Sequence, residues 1–308
     1  MKGPKKEGNM DELEFIYWDN INNVTLIVNF TIAVAMFACL RFFLGYISHF
    51  DTAKELASAN KPAFGISLAG AIIAVSIVLA GAIYGEPVFT VKDSVIAVGV
   101  YGILGILFMV ITRLIFDRFA LPGVSVAQEL EKHNTAAGVI DAGNMIATSI
   151  VIYTVMIWVS DNSLRGVTDV VSGFLVSQVL LTLYMHIRLR CFAKCNDELT
   201  FDDQLKQGNV ALALRFSGKR IGIAFAIAAA SNLMVYEMYD SSILLAYWAG
   251  VAVVVMVAFS IIARIAQKLI LVGIEVDKQV VHQANIAVGA VQCAVYVAMG
   301  ILLVQLMG

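Results

Sequence analysis

Polar side chains within apolar stretches are the residues of this sequence best suited to chemistry. A charged group at the centre of a membrane-spanning helix costs about 3 kcal/mol or more, so each one calls for a functional explanation. Six such residues follow shortly after recurring asparagines: Asp141, Asn144, Arg215, Lys219, Arg220 and Gln292. Inside a bundle they would line a polar cavity, with Arg215 or Lys219 keeping Asp141 charged. If the helix instead crosses over residues 221–239, the three basic residues lie at the membrane interface.

Apolar stretches of membrane-spanning length hold these residues. The chain has 308 residues, of which 60% are hydrophobic and 14% charged, well below the roughly 25% charged residues of soluble domains. A helix needs about 20 apolar residues to cross the hydrocarbon core of a bilayer. Eight stretches meet this length, near residues 22–46, 64–84, 95–116, 136–159, 166–188, 208–232, 242–268 and 284–307. The sequence therefore predicts an all-α polytopic membrane bundle of eight transmembrane helices.

An internal repeat organises these stretches. One asparagine opens each even stretch, and the four are separated by 74, 75 and 76 residues: Asn60, Asn134, Asn209 and Asn285. They divide the chain into a polar segment (residues 1–21) and four two-helix repeats, over residues 22–84, 85–159, 160–234 and 235–308. Because each repeat crosses twice, the copies share one orientation. We expect four parallel repeats packed around a common or pairwise axis along the membrane normal.

A short amphipathic elbow is predicted between the two helices of each repeat. Three elbows begin with the spacing of a capping box, and the fourth with a residue that can cap alone: Thr52 with Glu55, Ser125 with Gln128, Thr200 with Asp203, and Asp277. Small residues four apart open each even helix: Gly65 and Ala69, Gly138 and Ala142, Ala213 and Ser217, Gly289 and Cys293. This spacing predicts close packing between even helices. A ligand against bare backbone is the alternative.

Basic residues set the expected topology. An arginine ends each odd helix, namely Arg41, Arg113, Arg188 and Arg264. We interpret these arginines as membrane-end anchors in preference to a conduction or ligand role. Of the 21 lysines and arginines, five lie on the side opposite the elbows: Lys2, Lys5, Lys6, Lys92 and Arg165. The positive-inside rule then puts the elbows in the cytoplasm and both termini outside it.

Particular stretches of the second and third repeats resemble a known family. They are LPG at residues 121–123, QEL at 128–130, NTAA at 134–137 and TFDDQLKQGNVALA at 200–213. These segments resemble the YjfL-like bacterial inner-membrane family, catalogued as domain of unknown function 350. The first repeat departs by one inserted residue at Lys61–Pro62, and the fourth has Val280–Val281–His282 in place of an acidic elbow. The resemblance implies a location in the bacterial inner membrane and brings no activity or catalytic residues.

Two functions remain open. One is a pathway or sensor for a small ion or solute, which uses the polar interior. The other is a non-conducting scaffold whose elbows dock a cytoplasmic protein involved in membrane stress or remodelling. No nucleotide-binding, protease or hydrolase motif is present, so we expect no enzyme. A net charge of −2 gives no indication of nucleic-acid binding. Cys191 and Cys195 share a helical face near His186, but we expect reduced thiols, no metal and no cofactor.

Overall fold

The computed structural model describes residues 20–48, 62–84, 91–121, 123–159, 164–196, 199–236 and 241–308. These residues form ten α-helices and two π-helical segments, and no strand. The helices are α1 (Asn20–Ser48), α2 (Pro62–Tyr84), α3 (Val91–Ile115), α4 (Val126–Glu131), α5 (Thr135–Val159), α6 (Leu164–Cys195), α7 (Phe201–Lys206), α8 (Val210–Ser231), α9 (Ser241–Ile270) and α10 (Ile286–Met307). The π-helical segments are Phe116–Ala120 and Lys278–His282.

Six helices are long and apolar enough to cross a membrane. They are Pro62–Tyr84, Val98–Ala120, Thr135–Val159, Arg165–Cys195, Ser242–Ile270 and Ile286–Met307. The apolar part of α1 that the structure describes, Val24–Cys39, is shorter. Helix α8 is 22 residues long but carries Arg215, Lys219 and Arg220. By length and composition the structure thus supports six of the eight predicted spans.

Four helices form an open row at the centre of the molecule. In chain order, α2 packs against α5, α5 against α8, and α8 against α10, and these are the most extensive helix contacts in the described ranges. Helices α2 and α10, at the two ends, form no comparable contact. The repeats therefore stack side by side, which contradicts a common central axis but not the pairwise axes that were the other expectation. Helices α3, α6 and α9 each pack against two adjacent members of the row, whereas α1 packs on α2 and α3.

Small residues bring the row helices together, as their spacing predicted. A Cβ atom built on Gly143 would lie 2.4 Å from Cβ of Ser217, and one built on Gly218 would lie 2.4 Å from Cα of Cys293. Gly143 and Gly218 are the ninth residues after their asparagines, and Ser217 and Cys293 are the eighth after theirs. The same register therefore recurs from one repeat to the next. Helices in a bilayer gain little hydrophobic free energy by associating, because lipid tails are as apolar as their side chains. Close packing through small residues is therefore an important source of helix association.

In the second and third repeats, the elbow asparagine links its repeat to the next one. Asn134 Oδ1 accepts from the backbone N–H of Ala136 at 3.0 Å and so caps α5. Its Nδ2 donates to Glu129 Oε2 at 2.9 Å and to the carbonyl of Leu205, in the following elbow, at 2.7 Å. One amide side chain supplies both the acceptor and the two donors that these bonds require. This explains why the repeat has asparagine at this position.

The third repeat reproduces these bonds. Asn209 Nδ2 donates to Gln204 Oε1 at 2.8 Å and to the carbonyl of Val280 at 3.0 Å. Asn285, in the fourth repeat, donates to Gln279 Oε1 at 2.7 Å, within its own elbow. The chain thus contains two of these elbow-to-elbow links among the residues that the structure describes, and both run in the same direction.

Two predicted elbow caps form and one does not. Ser125 Oγ accepts from the backbone N–H of Gln128 at 3.4 Å, and Thr200 Oγ1 accepts from that of Asp203 at 3.1 Å. These confirm the elbow helices α4 and α7. Asp277 makes no side-chain cap bond, so that prediction is wrong. The predicted elbow of the first repeat lies outside the described residues.

Candidate functional site

A buried ion pair joins three helices in the first half of the chain. Arg113 Nη2, on α3, lies 3.3 Å from Asp141 Oδ2, on α5, and their side chains are 12% and 1% exposed. Ser67 Oγ, on α2, donates to the same carboxylate oxygen at 2.5 Å. The guanidinium balances the carboxylate charge, which would otherwise be costly in this interior. The arginine that the sequence assigned to the membrane end is therefore a partner inside the bundle.

The predicted pairing of Asp141 with Arg215 or Lys219 is wrong. Asp141 pairs with Arg113, while Arg215 Nη1 pairs with Asp277 Oδ1 at 2.6 Å. Burial raises the pKa of the Asp277 carboxyl, but Arg215 outweighs that effect and brings its pKa below the usual range. Arg215 therefore pairs with Asp277 of the fourth elbow and not with Asp141. The Asp277 carboxylate stays charged at neutral pH.

A basic cavity of about 350 Å³ is lined by residues of α6, α8, α9, α10 and the fourth elbow. Five cationic side chains and one carboxylate line it: Arg188, Arg215, Lys219, Arg264, Lys268 and Asp277. Cys191, Phe192 and Tyr296 contribute to its walls. Like charges gathered in a cavity with low-dielectric walls produce a strong positive potential there. Chemically, the arrangement is suited to holding an anion.

Lys219 is the most deeply placed of these cations. Its side chain belongs to the buried part of α8, with the residue only 3% exposed. The Nζ atom lies 5.5 Å from the centre of the Tyr296 ring and 5.9 Å from that of Phe216, both within cation–π range. No carboxylate of the described chain lies within ion-pair distance of it. The ammonium is thus stabilised by ring faces and remains available to an anion.

Arg220, the next residue, points elsewhere. Its guanidinium carbon lies 4.7 Å from the centre of the Phe116 ring, and Nη1 donates to the carbonyl of Leu181 at 3.4 Å. Arg220 is as buried as Lys219 and does not line the cavity. Both basic residues therefore lie among the helices. The alternative, a helix that crosses over residues 221–239, differs from the helix observed, which runs from Val210 to Ser231. The depth of the basic residues in the membrane stays a prediction.

Three amide side chains are buried without hydrogen-bond partners in the described part of the chain. They are Asn144, Gln178 and Gln292, each at 2% exposure or less, and both side-chain atoms of each lack a partner. An unsatisfied buried polar group costs about 1–3 kcal/mol, so such groups require an explanation. None of the three lines the basic cavity. The structure therefore divides the predicted polar cluster between the ion pair, the cavity and isolated buried positions.

Repeat position explains why the cavity lies in the second half of the chain. Arg113, Arg188 and Arg264 each precede their asparagine by 21 residues. The seventh residue after that asparagine is Asp141 in the second repeat, but Phe216 in the third and Gln292 in the fourth. Neither Arg188 nor Arg264 has an ion-pair partner among the described residues. Loss of the carboxylate leaves two arginines to line the cavity.

Sequence reasoning missed part of this site. Arg264 was interpreted as a membrane-end anchor, and Lys268 belongs to the sixteen basic residues on the elbow side. Their position at the end of α9 gave no signal that they line a cavity with residues of α8. Cys191 and Cys195 also line the cavity, as free thiols. Two predicted site residues cannot be placed against it, because Asn60 and the side chain of Arg41 lie outside the described residues.

An all-helical chain with six apolar helices of spanning length and a charged interior is a multi-pass membrane protein. Its sequence matches the family model described as Domain of Unknown Function (DUF350) twice, over residues 16–156 and 162–307. The chain belongs to this family, and each match covers two of the four two-helix repeats. No curated protein and no solved structure matches the chain.

Proposed function

We propose that this protein is a membrane sensor or pathway for a small anionic solute, which binds in the basic cavity. One observation carries the proposal: five cations and a single carboxylate line the same cavity. Bidentate arginines and a point-charge lysine are the side chains that recognise phosphate and carboxylate groups. The ligand class is therefore an anion with several acceptor oxygens. Such a group occurs both in free phosphate compounds and in lipid headgroups.

The proposed topology has eight spans, with α1 and α8 added to the six helices of sufficient length and hydropathy. Helix α8 packs against α5, α6, α9 and α10, so neighbouring helices rather than lipid surround its basic residues. Under the positive-inside rule, the cavity opens to the cytoplasm and both termini lie outside it. We place the protein in the bacterial inner membrane on the family resemblance.

Anion binding is tested with inorganic phosphate and the purified protein in detergent. Lys219→Met should weaken phosphate binding about tenfold or more, because it removes one charge from a low-dielectric cavity. Lys132→Gln is the matched control, since Lys132 lies on the second elbow with its side chain 66% exposed and outside the cavity. Equal weakening by both variants would contradict the proposal, as would an unaltered protein that binds neither phosphate nor phosphatidylglycerol.

Two further measurements separate the sources and the roles. Native mass spectrometry with phosphatidylglycerol or phosphatidylcholine vesicles distinguishes a lipid headgroup from free phosphate. If Lys219→Met reduces retention of phosphatidylglycerol while inorganic phosphate does not bind, the ligand is the lipid. Phosphate flux into proteoliposomes that is lost in Lys219→Met indicates a pathway, and binding without flux indicates a sensor.

A scaffold is the second candidate, and the bonds between elbows favour it. Asn134 and Asn209 tie consecutive elbows together, which gives the presumed cytoplasmic face a fixed shape suited to docking a protein. Gln128, Glu131 and Lys206 are exposed on this face. Photo-crosslinking from position 128 in cells tests the idea. A single partner captured there, with Lys219→Met having no effect on cell phenotype, would favour the scaffold over the anion site.

A further inference from the structure

The row of repeats ends with an uncovered helix face. We name the face of a row helix that meets the following repeat its leading face, and the face that meets the preceding repeat its trailing face. In α8, the leading face contains Gly218 and Gly222, which approach Cys293 and Tyr296 of α10. The corresponding positions of α10, nine and thirteen residues after Asn285, are Ala294 and Ala298. Both alanines are exposed in the described structure.

The opposite end of the row has the complementary face. The trailing face of α5 contains Ala142, whose Cα lies 2.4 Å from a Cβ built on Gly70 of α2. When the one-residue insertion at Lys61–Pro62 is allowed for, the equivalent residue of α2 is Ala69. Ala69 is exposed, as are Ile73 and Ser76 farther along the same face. The trailing face of α2 is therefore exposed at these three positions.

We propose that a second copy of this chain covers these faces, with the leading face of α10 in one copy packed on the trailing face of α2 in the next. The interface would continue the register that already joins α2 to α5, α5 to α8 and α8 to α10. Its two sides differ, so it is heterologous, and repetition gives a ring or an open chain of copies. The inference is independent of the proposed anion site.

Residue size distinguishes this face from an ordinary lipid-facing surface. Helix α9 exposes large side chains, among them Val254, Val257 and Ile261. The leading face of α10 instead exposes alanine at four positions near the elbow, Ala287, Ala290, Ala294 and Ala298, and larger side chains such as Val291 and Ile301 lie beside and beyond them. Small residues at this spacing are typical of close helix contacts in membranes, and they offer lipid little surface. Ala294 has the same repeat position as Gly143 and Gly218, which lie in the contacts between α5 and α8 and between α8 and α10. The exposed alanines therefore match an interface that already joins the row helices.

Two other features at the ends of the row lack the partner that their equivalents have. Asn134 and Asn209 each donate to the backbone of a following elbow, whereas Asn285 donates only within its own elbow. Helix α1 is the second feature. Each of α3, α6 and α9 packs on the row helix of its own repeat and on that of the preceding repeat, whereas α1 packs on the row helix of its own repeat and on α3 among the described residues. Helix α10 of another copy would supply a preceding row helix.

Cysteine crosslinking in native membranes tests the arrangement. In a full-length chain whose four native cysteines are replaced by alanine, Ala69→Cys and Ala294→Cys are introduced together. Oxidation should give a ladder of dimers and longer species, because every copy carries both sides of the contact. Ala294→Cys alone should remain monomeric on gels, since two leading faces do not meet. Val179→Cys with Ala294→Cys is the matched control for random collision, because Val179 is 65% exposed on α6.

A ladder only for the 69/294 pair supports the proposal. It is overturned if that pair yields no more crosslinked species than the 179/294 control, or if Ala294→Cys crosslinks to itself as efficiently. As a second readout, Ala294→Trp should weaken self-association about tenfold or more by overfilling the contact. Its phosphate binding should stay unchanged, because position 294 is outside the cavity. Unchanged association of Ala294→Trp in native nanodiscs would also overturn the proposal.

Discussion

The second repeat and the last two repeats place the same arginine in different surroundings. Arg113 meets a carboxylate and a hydroxyl from neighbouring helices, and the three form a closed, buried group. Arg188 and Arg264 belong to repeats that have Phe216 and Gln292 at the position of Asp141, and both arginines line an open basic cavity. One change of side chain per repeat thus separates a closed ion pair from the proposed anion site on the same scaffold. The predictions below test this contrast.

The largest effect is expected from Asp141→Asn. It leaves Arg113 buried without its counter-charge, which should lower the free energy of unfolding by about 3–5 kcal/mol. The measurement is thermal stability in detergent followed by tryptophan fluorescence. The double variant Asp141→Asn with Arg113→Gln should recover part of this loss, because both charges are then absent. If the loss in the double variant equals the sum of the single losses, the two residues are not coupled.

Close packing is common to both halves of the row and should respond alike in both. Gly143→Ala and Gly218→Ala each place a Cβ 2.4 Å from an atom of the adjacent helix, so each should cost about 1–3 kcal/mol. Gly250→Ala is the control, because a Cβ there meets nothing within 4 Å. It should be neutral or stabilising by up to about 1 kcal/mol through helix propensity. Equal melting temperatures for Gly218→Ala and Gly250→Ala would contradict the packing argument.

Gln292→Glu tests whether the last repeat can be converted into a copy of the second. The new carboxylate stands in the same relation to Arg264 as Asp141 does to Arg113. It should pair with that arginine and weaken phosphate binding about tenfold, through the loss of one effective charge from the cavity. Gln178→Glu introduces a carboxylate at another buried, unpartnered amide and serves as the control. Similar weakening by both variants would mean that charge alone, not repeat geometry, is responsible.

The smallest effect is expected at Asp277. Because Arg215 holds the pKa of this carboxyl below its usual range, the pair stabilises the fold above the unfolded-state pKa. That contribution is lost as pH falls through the lower folded-state pKa, that is, below about pH 4. Asp277→Asn should remove this part of the acid dependence. It should also strengthen phosphate binding by at most about fivefold, as expected for a solvent-exposed pair.

Parallel titrations of the melting temperature between pH 3 and pH 7 check the sign. Lys278→Gln is the control, because its pair with Glu275 lies in the same segment with both side chains exposed. The assignment fails if Asp277→Asn loses as much stability below pH 4 as the unaltered protein, or if phosphate binding weakens.

Local elements were predictable from sequence because their causes are local. The asparagine spacing identified the elbows, and Ser125 and Thr200 identified two helix starts from residues three positions apart. The failures concern choices between distant partners. Asp277 has the type of a capping residue, but Arg215 from another helix takes its carboxylate. Asp141 and Arg113 belong to one repeat, yet periodicity does not give the rotation of an odd helix against its even neighbour.

The open arrangement of the four row helices could not be predicted from the sequence either. A register that repeats from one unit to the next fixes each pairwise contact and leaves open whether four units close around an axis. Helix α8 illustrates the limit of hydropathy. Three basic residues reduce its apparent suitability as a span, although 18 of its 22 residues are buried by protein. Tertiary contacts, not composition, decide the solvent that these side chains experience.

The direction of the elbow bonds has a consequence for biogenesis. A ribosome delivers the repeats in order, and the amide of Asn134 finds its acceptor at Leu205 only after the third repeat has been synthesised. Asn209 likewise finds its acceptor, the carbonyl of Val280, only after the fourth repeat has been synthesised. These two bonds therefore form only after the later repeat of each pair exists. A nascent chain that ends between the second and third repeats leaves one donor of the Asn134 amide without its backbone acceptor.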